Sequence, residues 1–200
     1  MNAKNVIPII QSKRIIIKIG TGLLRTNEGL INHECIQTIS KEVSHLKKLG
    51  VDVIIVSSGA IGLGMAQLKI NQRPKSLPQL QACAAIGQSQ LINLWQKYFD
   101  NYNLTVAQIL LTQEDLASSN RYDGVTDTLQ ELLSKGAIPI VNENDTVSTE
   151  EIKFGDNDRL SALVAKAMKA DLLMILSNIS GLMDPNNNHS IVPIVESITP

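Results

Sequence analysis

Short runs of consecutive apolar residues alternate along this chain with longer stretches in which apolar residues recur every third or fourth position. Residues 14–19 form a β-branched run closed by Gly20. Over residues 33–49 the apolar positions are Ile36, Ile39, Val43, Leu46 and Leu49, the spacing of one helix face, and Gly50 supplies the stop. Further strand-like runs cover 51–56, 104–111, 137–141 and 171–177. Helical patterns cover 60–68, 77–102, 121–134 (closed by Gly136) and 158–168. In the longest of these the predicted inner face is Leu80, Ala84, Gly87, Leu91, Leu94 and Tyr98. The strands are apolar throughout rather than alternating, which means a sheet buried on both faces. Regular alternation of strand and helix makes that sheet mainly parallel, with right-handed crossovers. The expected fold class is therefore α/β, a three-layer α/β/α sandwich around a mainly parallel central sheet.

The connections are informative as well. Residues 71–78, with Pro74 and Pro78, read as a surface connection, and 184–190, with Asn186-Asn187-Asn188, as a polar loop. Residues 147–153 have strand-like composition and predict a short hairpin that folds over a ligand. A strand-like run at 191–195 just precedes the end at Pro200, so the sheet is expected to be C-terminally incomplete, with its last strands and helices missing.

Composition narrows the class. The length of 200 residues suits one large domain or most of one, and 44% hydrophobic content supports a sizeable core. With 3% aromatics, that core must be built from Ile, Leu, Val and Ala. A net charge of −1, from 18 basic and 19 acidic residues without a basic stripe, argues against a nucleic-acid partner. No run reaches the length of a membrane span and no signal-peptide pattern opens the chain, so a cytoplasmic setting without membrane association is expected. Cys35 and Cys83 have neither metal nor disulfide spacing and read as structural thiols in helices. His33, His45 and His189 carry no motif and read as surface residues, so no metal site is expected.

Candidate chemistry lies where strands end. The first strand runs into Lys18-Ile19-Gly20-Thr21-Gly22, where close backbone approach and an ammonium suit an anion such as phosphate; the alternative for Lys18 is a solvated surface position. This is neither a P-loop nor a dinucleotide fingerprint. The second strand runs into Ser57-Ser58-Gly59-Ala60, hydroxyls and unpaired N–H groups at a helix start, which is either an anion site or an ordinary Ser cap. The fourth ends in Asn142-Glu143-Asn144-Asp145, and Gly155-Asp156-Asn157-Asp158 precedes the next helix. Carboxylates suit an ammonium, and amides and helix N–H groups suit a carboxylate, so the two clusters together fit a zwitterion at the carboxyl ends of the strands. Taken singly, Asp145 reads equally as a turn residue and Asp156 or Asp158 as a helix cap.

Taken in order, Lys18-x-Gly20-Thr21, Ser57-Ser58-Gly59-Ala60, Ala85-Ile86-Gly87-Gln88, Gln108-Ile109-Leu110-Leu111-Thr112, Asn142-Glu143-Asn144-Asp145 and Gly155-Asp156-Asn157-Asp158 resemble the glutamate 5-kinase family of the amino-acid kinase superfamily, over residues 13–198. The resemblance implies ATP-dependent phosphorylation of the side-chain carboxylate of L-glutamate to an acyl phosphate, the first step of proline biosynthesis. It implies ATP as co-substrate with Mg²⁺, proline as a feedback inhibitor, and a homo-oligomer. Carried over by residue, it makes Lys18 and Asp158 catalytic, with Asp158 orienting Lys18. Ser58, Asp145 and Asn157 would hold glutamate, and Lys18, Gly20, Ser177 and Asn178 would lie at ATP. Departures from the pattern are Asn178, where the family usually has Asp, and Arg121 to Val125, which lacks the usual asparagine. A Gly-rich segment ending in Thr-Lys that completes the ATP site, and the RNA-binding-like C-terminal domain of many relatives, are not in these 200 residues. On the residues themselves two alternatives stay open: a non-catalytic module that binds glutamate or proline, and another kinase of the same superfamily.

Overall fold

A computed structural model describes residues 11–26, 30–147, 157–184 and 190–195. Its centre is a sheet of β1 (Arg14–Ile19), β2 (Asp52–Ser57), β3 (Val106–Leu111), β4 (Ile138–Glu143) and β5 (Leu172–Leu176), in the order β3-β4-β2-β1-β5. Every pairing is parallel. The helices are α1 (Thr21–Leu24), α2 (His33–Lys48), α3 (Ala60–Gln67), α4 (Leu77–Phe99), α5 (Gln113–Ala117), α6 (Ser119–Ser134) and α7 (Asp158–Ala167). A two-stranded antiparallel ladder, β6 (Met183–Asp184) with β7 (Ser190–Ile191), stands apart.

Successive strand side chains point to opposite faces, so an all-apolar strand needs cover on both. Ile15, Ile17 and Ile19 of β1 enter one core with Ile36, Ile39 and Val43 of α2 and Leu91, Trp95 and Phe99 of α4. Ile16 joins Ile54, Val56 and Val141 in a second core beneath Leu129 and Leu133 of α6 and Leu160 and Val164 of α7. This is the expected α/β/α sandwich. A third cluster, Ile61, Leu80, Cys83 and Ala84, joins α3 to α4. Their crossing is close because Gly64 and Gly87 lack side chains. A Cβ on Gly87 would fall 1.7 Å from the Ala60 carbonyl oxygen, and one on Gly64 1.8 Å from that of Cys83.

Several elements differ from the expectation. β4 runs two residues further, because Asn142 and Glu143 stay in register with Leu110 and Leu111 of β3. The helix expected over 77–102 ends at Phe99, followed by a 3-10 turn (Asp100–Tyr102) and Asn103 at φ 55°. Its inner face centres on Leu91, Trp95 and Phe99, while Leu94 and Tyr98 are half-buried flanks. Leu49 is a helix C-cap and 63% exposed. The helix expected to start at Arg121 starts at Ser119 and is preceded by α5, which a capping box between Thr112 and Asp115 initiates. Of the run 191–195 only Ile191 is paired in a strand. Most of the proposed hairpin at 147–153, most of the loop at 184–190, and Gly155, Asp156 and His189 lie outside the described residues. Cys83 is buried and Cys35 half-buried, both unbridged, and His33 and His45 are exposed. Among the described residues no helix is long and apolar enough to cross a membrane.

Candidate functional site

β1, β2 and β4 are interior neighbours, so their carboxyl ends form one continuous rim. Lys18 and Asp145 therefore stand two strands apart on that rim, not on opposite edges of the sheet.

Lys18 is the penultimate residue of β1 and only 5% exposed, so the solvated alternative does not hold. Its Nζ lies 2.6 Å from Asp158 Oδ1 at the first turn of α7. A buried ammonium needs such a partner. The sheet aims Lys18 at α7 because even-numbered β1 residues face that helix layer.

On the β2 and β4 side of Lys18, a cavity of about 340 Å³ is lined by Thr21, Arg25, Ser58, Arg73, Asn142, Asp145 and Asn157, and by the first turn of α3. Ser58 follows β2 directly, and its N–H donates to the Ile19 carbonyl (3.2 Å), tying the two βα turns together. Gly59, at φ +110°, then turns the chain into α3, a conformation a side chain disfavours. Gly59, not Ser58, is the helix N-cap. The Ser58 hydroxyl is buried without a hydrogen-bond partner among the described residues. Such a group in a cavity wall is available to a ligand.

A buried amide pair holds the cavity floor. The Asn157 side-chain N–H₂ donates to Asn142 Oδ1 (2.7 Å) and to the Ser57 carbonyl (3.1 Å). Asn142 Oδ1 also accepts from the Glu143 N–H (2.9 Å). Two donors fix the orientation of the Asn142 amide, and its own Nδ2, buried with no partner among the described residues, is left for a ligand. Helix α4 supports the floor from below. Trp95 Nε1 donates to Ser57 Oγ (3.1 Å), and Gln88 Nε2 to the Glu143 carbonyl (3.4 Å). Asp145 is half-buried after β4, and loss of hydration pushes its pKa up to about 6, against the opposing pull of the Arg73 charge.

The β5 side of Lys18 carries a different set. The Gly20 N–H donates to the Leu176 carbonyl (3.1 Å), joining the first βα turn to the end of β5. Asn178 packs on Gly22, where a Cβ would come within 3.1 Å of its amide. Ser177 Oγ accepts from the Ile179 N–H (3.4 Å), and Asn178 is exposed.

The candidate residues thus fall into two groups with Lys18 and Asp158 between them. Ser58, Asp145 and Asn157 line the cavity, while Gly20, Ser177 and Asn178 cluster at β5. Sequence reasoning overlooked Asn142 as a lining group in its own right, although it sits inside the Asn-Glu-Asn-Asp stretch. It also overlooked Arg25, which no motif marks, and Arg73, hidden in a segment that reads as a surface connection.

The model of the amino acid kinase family matches residues 13–198. The chain is 45% identical over 190 residues to the glutamate 5-kinase of Caldanaerobacter subterraneus subsp. tengcongensis, covering 93% of this chain and 51% of that one. It is 46% identical over 180 residues to the glutamate 5-kinase of Acinetobacter baumannii, covering 90% and 48%. It is 50% identical over 173 residues to that of Clostridium acetobutylicum, covering 86% and 65%. The chain therefore spans about half the length of the first of these curated relatives. Among solved structures, carbamate kinase from Giardia lamblia bound to AMP-PNP superposes with a TM-score of 0.58 at 17% identity, covering 86% of this chain and 73% of that one, a likeness of fold.

Proposed function

The chain belongs to the amino acid kinase family, and within it we propose that this protein transfers the γ-phosphoryl group of ATP to the side-chain carboxylate of L-glutamate, giving L-glutamyl 5-phosphate. The observation that carries the reading is the position of Lys18. It stands on the rim between a cavity with groups for a zwitterion and a glycine-bounded turn facing the end of β5. Three relatives at 45–50% identity are glutamate 5-kinases, which supports the same assignment.

In this reading Asp145 pairs with the substrate ammonium, while Ser58 and Asn157 hold the rest of the molecule. The nucleotide phosphates lie along Gly20, with Ser177 and Asn178 beside the nucleotide. The side-chain carboxylate oxygen attacks the γ-phosphorus as the bond from that phosphorus to the bridging oxygen breaks, and ADP leaves with the electron pair. A carboxylate carries no proton at neutral pH, so no general base is needed. Alignment and neutralisation of charge must therefore supply the rate. Lys18 places one positive charge at the transferring group, and Asp158 holds the ammonium in position. A Mg²⁺ ion would supply further neutralisation of phosphate charge beside Lys18.

The test is ATP-dependent hydroxamate formation by the enzyme with L-glutamate, L-aspartate, carbamate and N-acetylglutamate. Preference for glutamate is the expected result. Turnover of another acceptor at a higher kcat/KM would replace this reading with a different member of the family.

A further inference from the structure

Trp95 is the single tryptophan of the chain, and it lies fully buried on α4. Its ring stands beside Phe99 in the core that β1 and β2 share with α2 and α4. Packing alone asks only for an apolar side chain at such a place. An indole also brings a polar N–H, which burial makes costly unless it is paired. The partner it finds is Ser57 Oγ, 3.1 Å away, on the last residue of β2.

Ser57 is where the two helix layers meet. It is fully buried, and its side chain points to the α4 layer, as those of Val53 and Ile55 do. Its carbonyl accepts from Asn157 Nδ2 (3.1 Å), at the N-cap of α7 in the other layer. An indole N–H can only donate, so the Ser57 hydroxyl must accept from it. The proton of that hydroxyl is then directed to the Ser58 carbonyl, 3.2 Å away. The Ser58 N–H is held by the Ile19 carbonyl (3.2 Å). Both peptide groups flanking Ser58 are therefore fixed, one by Asn157 and Ile19, the other by Ser57 Oγ. Only the second depends on a side chain from α4. Without the indole, the Ser57 hydroxyl is free to take another staggered position and release the peptide that leads into Gly59.

We propose that Trp95 is a positioning residue, which acts through Ser57 on Ser58. It sets the direction of the Ser58 carbonyl and so the place of the Ser58 hydroxyl in the cavity wall. Ser58 lines the cavity, whereas Trp95 and Ser57 are not among its lining residues, so the effect passes along the chain of bonds. The inference rests on Ser58 contacting the acceptor, as proposed above.

Trp95→Phe, Ser57→Ala and the double variant are compared with wild-type enzyme for glutamate KM, ATP KM, kcat and melting temperature. Each single substitution is expected to raise glutamate KM about fivefold, the scale of one net hydrogen bond. Values of kcat and ATP KM should stay within about twofold of wild type, because the loss falls on acceptor binding. The double variant should match the singles rather than multiply them, since one chain of bonds is broken only once. Emission from the single tryptophan gives an independent readout. Glutamate added without nucleotide should shift it in the wild type, and much less in Ser57→Ala.

A lowered melting temperature with unchanged glutamate KM would overturn the proposal, since that is the signature of a purely structural bond. Effects on KM that multiply in the double variant would overturn it too, as would emission that ignores saturating glutamate. An enzyme that uses ATP with another acceptor and not with glutamate would instead remove the functional reading alone. The same comparison, made with that acceptor, then decides the role of Trp95.

Discussion

Lys18 and Asp145 face opposite demands, and each yields a distinct kinetic signature. Lys18 is buried against Asp158, and in the proposed reaction it meets the phosphoryl charge that builds up, so its contribution would be larger in the transition state than in the ground state. Lys18→Ala is expected to lower kcat roughly a hundredfold, about 3 kcal/mol, with little change in glutamate KM. A raised KM with unchanged kcat would contradict that role. Asp145 must be charged to hold an ammonium, yet its half-buried position favours the neutral form, with a pKa raised to about 6. Acidification through pH 6 should therefore weaken glutamate binding, and kcat/KM should fall on the acid side with an apparent pKa near 6. Asp145→Asn should lose about 1.5–3 kcal/mol of glutamate binding, flatten that acid limb, and leave ATP affinity unchanged by calorimetry. The same shift has a cost in stability, with a definite sign. The folded pKa lies above the unfolded one, so stability falls as pH rises from about 4 through 6, and the cost is fully present above it. At pH 7 Asp145→Asn should be more stable by about 1–2 kcal/mol after allowing for solvent screening, a rise of a few degrees in Tm.

At the scale of elements, α4 ties the cavity side together. Its residues Gln88 and Trp95 reach the ends of β4 and β2, and Gly87 touches the carbonyl of Ala60, where α3 begins. A methyl on Gly87 has no space, and the atom it meets is backbone, so α3 must move away. Gly87→Ala should destabilise the protein by about 1–3 kcal/mol and raise glutamate KM more than ATP KM, because α3 carries the Ser58–Gly59 end of the cavity. Thermal unfolding and steady-state kinetics on one preparation check both halves. Trp95→Phe keeps an aromatic ring near Phe99, whose centroid lies 6.0 Å from that of Trp95, and removes the bond to Ser57 together with part of a fully buried side chain. It should cost about 2–3 kcal/mol of stability from the lost bond and the cavity, and Ser57→Ala in the same background should add little. Additive losses would mean the two side chains act independently.

For the molecule as a whole, strand order decides which parts are most stable. β1, β2 and β4 are interior strands with helices on both faces, while β3 and β5 stand at the edges of the described sheet. Ile175 of β5 is 48% exposed, whereas Ile54 and Ile55 of β2 are fully buried. Native-state hydrogen exchange should give the greatest protection in β1 and β2 and earlier exchange in β5. Equal protection across all five strands would mean that the sheet opens only as one unit.

Much of this was legible in the residues. Apolar runs at 14–19 and 51–56, with helical spacing between them, require a parallel sheet covered on both faces, because side-chain direction in strands and helices is a local property of the backbone. The strand-end motifs marked the stretches that hold Lys18, Ser58, Asp145 and Asn157 as candidates, although each residue singly also fitted a surface, cap or turn role. Other features depended on packing between distant segments. The burial of Lys18 comes from α7, 140 residues away in sequence, which brings Asp158 to its Nζ. The true inner face of α4, with Trp95 and Phe99 rather than Leu94 and Tyr98, was set by where the sheet ends lie against it. The extension of β4 through Asn142 and Glu143 needed β3 alongside to pair the backbone, and Asn157 before α7 to donate to Asn142 Oδ1. Arg25 and Arg73 have no local pattern at all. They meet in one cavity only because the sheet places the first βα turn beside the connection that leads into α4. The sequence by itself determined the elements and the chemistry at their ends. The tertiary structure decided which of those ends share a site, because strand order, unlike periodicity, is a long-range property.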